Sequence, residues 1–116
     1  YQTRFGWRRT AGTGTKSTSI GNFPAQAGGA EILRLAVIAL EEAGHRVVAT
    51  IHDALLVDMD EQGHEMELQA IRGLMKRAGA IVTGVTIRTD VALVPPLKHF
   101  EDARGRQMWD SIGDLV

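Results

Sequence analysis

The sequence predicts an α+β fold, an antiparallel sheet with helices packed on one face, and three observations predict it. Residues 46–51 and 54–59 are two apolar runs separated only by His52-Asp53, the spacing of a β-hairpin. Two stretches, 25–43 and 61–78, repeat apolar residues every three or four positions, as amphipathic helices do. No Gly-rich phosphate loop joins a strand to a helix. Gly28-Gly29 falls inside a helical run, and Gly12-Thr13-Gly14-Thr15-Lys16-Ser17 lacks the Walker spacing, which argues against a Rossmann-type sheet.

In chain order, residues 1–10 alternate enough for a strand, and residues 11–21 are a Gly/Thr/Ser-rich loop expected to be flexible. The first helix, Ala25 to Ala43, presents Ile32, Leu35, Ala36, Ala39, Leu40 and Ala43 on one face, with Gly44 as its stop. Glu31 and Arg34, one turn apart, join Glu41 and Glu42 as its narrow polar edge, so most of this helix is expected to be buried. After the hairpin comes a helix from about Glu61 to Ala78, with Leu68, Ile71, Leu74, Met75 and Ala78 as its buried stripe and Gly79 as its end. Residues 81–94 alternate as a long strand, with Ile81, Val85, Ile87, Val91 and Leu93 on one face and Thr86, Arg88 and Asp90 on the other. Pro95-Pro96 stops it, and the tail from about Phe100 suits a short helix that docks through Trp109, Ile112 and Leu115.

A single domain over 1–116 is expected: a basic strand and loop (1–21), a helix-hairpin-helix-strand core (22–94) and a tail helix (95–116). The chain has 116 residues, 44% of them hydrophobic, enough for a compact core. With no cysteine, disulfides, thiolate metal sites and Cys nucleophiles are excluded. The longest apolar run, Leu35 to Leu40, is far below the ~20 residues that span a bilayer, so a soluble, cytoplasmic protein with no membrane partner is expected. A start at Tyr1 rather than Met suggests an excised piece.

The formal net charge of -1 hides an asymmetry. Residues 1–30 carry Arg4, Arg8, Arg9 and Lys16 and no acid, whereas the rest of the chain holds nine basic and fourteen acidic groups. An anion such as a nucleic-acid backbone is therefore expected at the amino-terminal end, although a solvated basic strand would read the same way. The hairpin tip is also unusual. Two-residue loops favour Gly, because a central residue must take positive φ, and His52-Asp53 offers none. Asp53 is either a tolerated turn former or a carboxylate placed there for chemistry.

Asn22-Phe23-Pro24-Ala25-Gln26, then Gly29-Ala30-Glu31-Ile32-Leu33, then the apolar-His52-Asp53 hairpin, resemble the carboxy-terminal palm segment of family A DNA polymerases. The likeness spans most of the chain and is closest to the polymerase I-like proteins of phages and their bacterial relatives. Phe5-Gly6-Trp7-Arg8 and Arg104-Gly105-Arg106-Gln107-Met108-Trp109 fit it too. The resemblance implies that Asp53 is a catalytic, metal-binding carboxylate, one of the acids that hold two Mg²⁺ ions for nucleotidyl transfer. Such ions demand hard oxygen ligands, activate the attacking 3′ oxygen and neutralise the leaving pyrophosphate. It further implies that Asn22, Gln26 and His52 contact primer and template, with Arg8 and Lys16 among the DNA-binding cations. Amides suit minor-groove acceptors common to every base pair. Read without the family, Asn22 could equally cap the following helix, and Gln26 and His52 could be structural.

The chain departs from the family pattern in three places. Ala54 stands where many members have Glu; Thr18 stands where an Arg usually precedes the Asn by four residues, with Lys16 as a substitute; and the second metal-binding Asp and the fingers helix have no counterpart. The implied partners are therefore primer-template DNA, dNTP and upstream palm, fingers and thumb segments, and the isolated chain is expected to be inactive. Apolar surface left by those segments makes a homodimer a further expectation. The rival class is a non-catalytic nucleic-acid-binding α+β module. A small metal hydrolase using Asp53 with Asp58 or Asp60 is disfavoured, because those acids lie roughly 13 Å or more along the strand.

Overall fold

A computed structural model describes residues 1–98, 100 and 103–113. Its elements are α1 (Ser17–Glu42), β1 (Arg46–Ile51), β2 (Ala54–Asp58), α2 (His64–Thr83) and α3 (Ala103–Gly113), an α+β fold with one two-stranded antiparallel sheet.

Helix α1 starts eight residues before the position expected from Pro24, which lies inside it. Pro24 cannot donate to the carbonyl of Ile20, so the turn before it is held by neighbouring turns and by packing. At the other end Gly44 takes φ +85°, and the His45 N–H reaches back to the Leu40 carbonyl at 3.0 Å, a Schellman stop that only a residue at home in the left-handed region favours. The helices pack on each other through Ala36 and Leu40 of α1 and Ile71 and Ala78 of α2, the buried apolar core together with Ala27. Ile32, Leu35, Leu68, Leu74 and Met75 are half-buried around it, and Ala43 is exposed. By length and composition α1 could also cross a membrane; its packing on α2 and the ion pair of Glu31 and Arg34 suit a core helix.

Several sequence expectations are corrected. Residues 1–10 form no sheet strand but a small strap: Gln2 bridges Arg8, and the Thr3 N–H donates to the Trp7 carbonyl around a tip at Gly6. Gly79 does not end α2, which runs on to Thr83 and stops at Gly84 with φ +80°. Instead Gly79 is buried where a Cβ would lie 2.5 Å from Ile87 Cγ1, so its missing side chain is what lets the following segment approach. Residues 85–94 are extended but join no sheet, and Val85, Val91, Leu93 and Val94 are exposed. They pack on α2 through Ile87 and through Arg72, whose guanidinium donates to the Thr89 hydroxyl and carbonyl at 3.3 Å. The alternation is present, but among the described residues the strand that would pair with it is not. In the tail helix Trp109 is 75% exposed and Ile112 is exposed, so these two do not serve as docking residues, and Leu115 lies outside the described residues.

The core is small and the molecule extended. The Cα radius of gyration is 18.1 Å, against about 13 Å for a compact domain of this length.

Candidate nucleic-acid interface

The hairpin forms where the sequence places it. Cross-strand pairs run from Arg46 opposite Asp58 to Ile51 opposite Ala54, with an irregularity at Val48. His52 absorbs the reversal at φ 55°, a left-handed conformation that costs a non-glycine residue on the order of 1 kcal/mol. Asp53 follows it, exposed and free of hydrogen bonds and ion pairs to described residues, its carboxylate offered to solvent from a two-residue tip. Arg46 pairs with Asp58 at 3.2 Å and with Asp60 at 3.6 Å, which accounts for both acids without metal chemistry.

The amino-terminal half of α1 carries the other candidates. Asn22 and Gln26 are four residues apart, hence on one face, and both are exposed. Asn22 lies inside the helix and is not its cap; Lys16 holds the N-cap position and makes no side-chain capping bond. The neighbouring face, about 100° around, is covered by the strap. Arg9 donates to the Ser19 hydroxyl at 2.7 Å and lies over the Phe23 ring at 5.9 Å, while Tyr1 meets Phe23 edge-on at 5.9 Å. Arg8 and Lys16 remain exposed beside this contact. The strap reaches α1 through Trp7 and Arg9, and no side-chain hydrogen bond or ion pair joins Arg8, Lys16, Asn22 and Gln26 to one another among the described residues. No hydrogen bond joins Asp53 or His52 to them. Two concavities, one lined by Tyr1, Arg9, Ala11, Ile20 and Phe23 and another by Glu61, Gly63, His64, Glu65 and Met66, do not include Asp53.

Glu31 is the site residue that sequence reading misplaced. Expected on the exposed edge of α1, it is 1% exposed. The Trp7 indole donates to Oε2 at 3.0 Å and Arg34 donates to Oε1 at 2.6 Å. The hydrogen bond from Arg34, then that from Trp7, hold its carboxyl below the usual carboxylate range and outweigh the opposing effect of burial. This carboxylate ties the strap to α1. Its partner is 24 residues away in the chain, so the periodicity of α1 alone carried no signal of it; Trp7, the seventh residue of an acid-free stretch, was the one clue.

Among the described residues no three His, Asp or Glu side chains converge on a point that could hold a metal ion. Among the described residues the donor set available to a divalent cation at the hairpin tip is one carboxylate, too few oxygens to hold Mg²⁺ by itself. No protein-family model, curated protein or solved structure matches the chain.

Proposed function

We propose that this chain is the carboxy-terminal palm segment of a family A, polymerase I-like DNA polymerase, contributing one carboxylate to a two-metal nucleotidyl-transfer site. The observation that carries the reading is Asp53: an exposed acid without a hydrogen-bond or ion-pair partner among the described residues, on a strained two-residue tip held by strands whose Val48, Ile51 and Leu56 are exposed. In this reading Asp53 binds Mg²⁺ together with an acid from an upstream palm strand, and bound Mg²⁺ supplies activation of the primer 3′ oxygen and charge neutralisation of the pyrophosphate. Asn22 and Gln26 meet minor-groove acceptors of the primer-template. Arg8 and Lys16 meet its phosphates, and His52 lies beside the primer end.

The extended shape supports the same reading. Val48, Ile51 and Leu56 on the hairpin and Val85, Val91 and Leu93 after α2 are the apolar surface that further palm strands, fingers and thumb would cover. A second reading, a nucleic-acid-binding module without catalysis, draws on the basic strap, which is assembled on α1 with no involvement of Asp53.

Primer extension separates the two. The purified chain with Mg²⁺, primer-template and dNTP is expected to extend nothing. Combined with the upstream palm, fingers and thumb of a polymerase I-like protein it is expected to extend the primer, and Asp53→Asn is expected to lower that rate at least a thousandfold with primer-template affinity nearly unchanged. Extension that survives Asp53→Asn would leave the binding module as the reading.

A further inference from the structure

Of the strap, the reading above uses only Arg8. Tyr1, Phe5 and Trp7, half of the chain's six aromatic residues, interleave with Arg4, Arg8 and Arg9 within nine positions, and no acid offsets them. Arg9 and Tyr1 are spent on Phe23. Trp7 is different. Its Nε1 edge is fixed by the buried Glu31 carboxylate, itself fixed by Arg34, yet the side chain stays 41% exposed. Arg4 and Arg8 are exposed and neither forms an ion pair among the described residues; Arg4 lies over the Phe5 ring at 5.6 Å, which keeps its guanidinium in the strap with its charge still open to solvent.

We propose that Trp7 is a stacking platform for an unpaired base of single-stranded nucleic acid, with Arg4 and Arg8 meeting the phosphates on either side. Every base has a π-face, so an aromatic ring flanked by cations grips a single strand without reading its sequence. A ring already fixed in place loses little freedom on binding, and that is what the Glu31 hydrogen bond provides. Stacking on neighbouring pairs hides both faces of a base within a duplex, so the platform favours single strands. The inference rests on the nucleic-acid part of the reading above and needs neither Asp53 nor a metal.

The test uses the whole chain with Trp109→Phe, which leaves Trp7 as its one indole. Oligo(dT) of about 12 nucleotides is expected to quench Trp7 fluorescence at least twofold, oligo(U) likewise, and a duplex of equal length much less. Trp7→Leu is expected to weaken oligo(dT) binding, followed by anisotropy of a labelled strand, roughly tenfold or more, and Trp7→Phe, which keeps a ring, to lose less. Arg4→Gln or Arg8→Gln should each reduce the slope of log affinity against log salt by about 0.7. Glu31→Leu, with helical circular dichroism intact, should weaken binding severalfold while Trp7 is still present. Equal quenching by duplex, equal losses from Trp7→Leu and Trp7→Phe, or binding unmoved by Trp7→Leu would overturn the proposal. Quenching by oligo(dT) in a chain that never supports primer extension would keep the platform and remove the polymerase; extension without quenching would do the reverse.

Discussion

The two halves of the molecule solve the burial problem differently. The helical half closes on itself: Leu40 is fully buried between α1 and α2, Ile71 and Ala78 face it, and residues 87–89 are drawn onto α2 through Gly79 and Arg72. The hairpin half closes less: β1 touches α1, and Val47, Ala49, Leu55 and Val57 are only half-buried. Val48 is 61% exposed and Leu56 45%, and both edges of the two-stranded sheet lack a neighbour among the described residues. Such a ribbon is marginal in water, since three strands or a covering helix are needed for independent stability. The lesson is that one region carries most of the burial and the other carries the candidate chemistry.

The largest expected contrast between the halves is in core substitutions. Leu40→Ala should cost about 3 kcal/mol in denaturant melts of the chain, because the lost methylenes leave a cavity between two packed helices. Leu56→Ala should cost below about 0.5 kcal/mol in the same measurement. Comparable losses would show that the hairpin is buried after all.

A smaller effect probes the contact that closes the helical half. Gly79→Ala gains roughly 1 kcal/mol of helix propensity but drives a methyl into Ile87, at 2.5 and 2.7 Å from its Cγ1 and Cδ1, so a net destabilisation of about 1–2 kcal/mol is expected. Combined with Ile87→Ala, the same substitution should become neutral or stabilising, a coupling that a double-mutant cycle reads directly.

Acid should detach the strap before it unfolds the helices. The folded-state pKa of Glu31 is lowered by Arg34 and then Trp7, so its contribution is fully present above the ordinary value of 4.5 and is lost as pH falls through the folded value. Trp7 fluorescence in the Trp109→Phe chain is expected to change in that acid window while helical circular dichroism holds. Glu31→Gln, which still accepts from the indole but no longer titrates, should flatten the change.

The smallest effect belongs to the hairpin tip. Replacing His52 by Gly relieves about 1 kcal/mol of left-handed strain and adds chain entropy to the unfolded state, for a net gain of roughly 0.5 kcal/mol in a thermal melt. A loss of stability would mean that the imidazole makes contacts that outweigh its backbone.

Which parts were legible in the sequence follows from how local their causes are. The hairpin over residues 46–58 was readable because two alternating runs separated by two residues leave the chain no other connection. The Gly44 stop was readable because glycine there has one cheap use. Pro24 misled: its usual place in a first turn put the start of α1 near Ala25, whereas the helix runs through it from Ser17. Gly79 misled for the opposite reason, since its role is close approach to Ile87, and a glycine in a helical run does not announce what packs against it. The alternation of residues 85–94 is a strand pattern without a partner strand. Of the candidate site, the exposure of Asp53 at the tip followed from the hairpin spacing, whereas Asn22 and Gln26 were singled out only by the family resemblance. The burial of Glu31 was not, because it depends on Trp7, Arg34 and a strap folded back over 24 residues.

Hydrogen exchange on the chain, alone and then with upstream palm, fingers and thumb segments added, tests most directly whether the hairpin is an unfinished sheet that presents Asp53 to a site completed from outside. Alone, the amides of β1 and β2 should exchange orders of magnitude faster than those around Leu40 in α1, and the added segments should slow them at least a hundredfold. Hairpin amides as protected as the helical core in the isolated chain, and unchanged by the added segments, would contradict it.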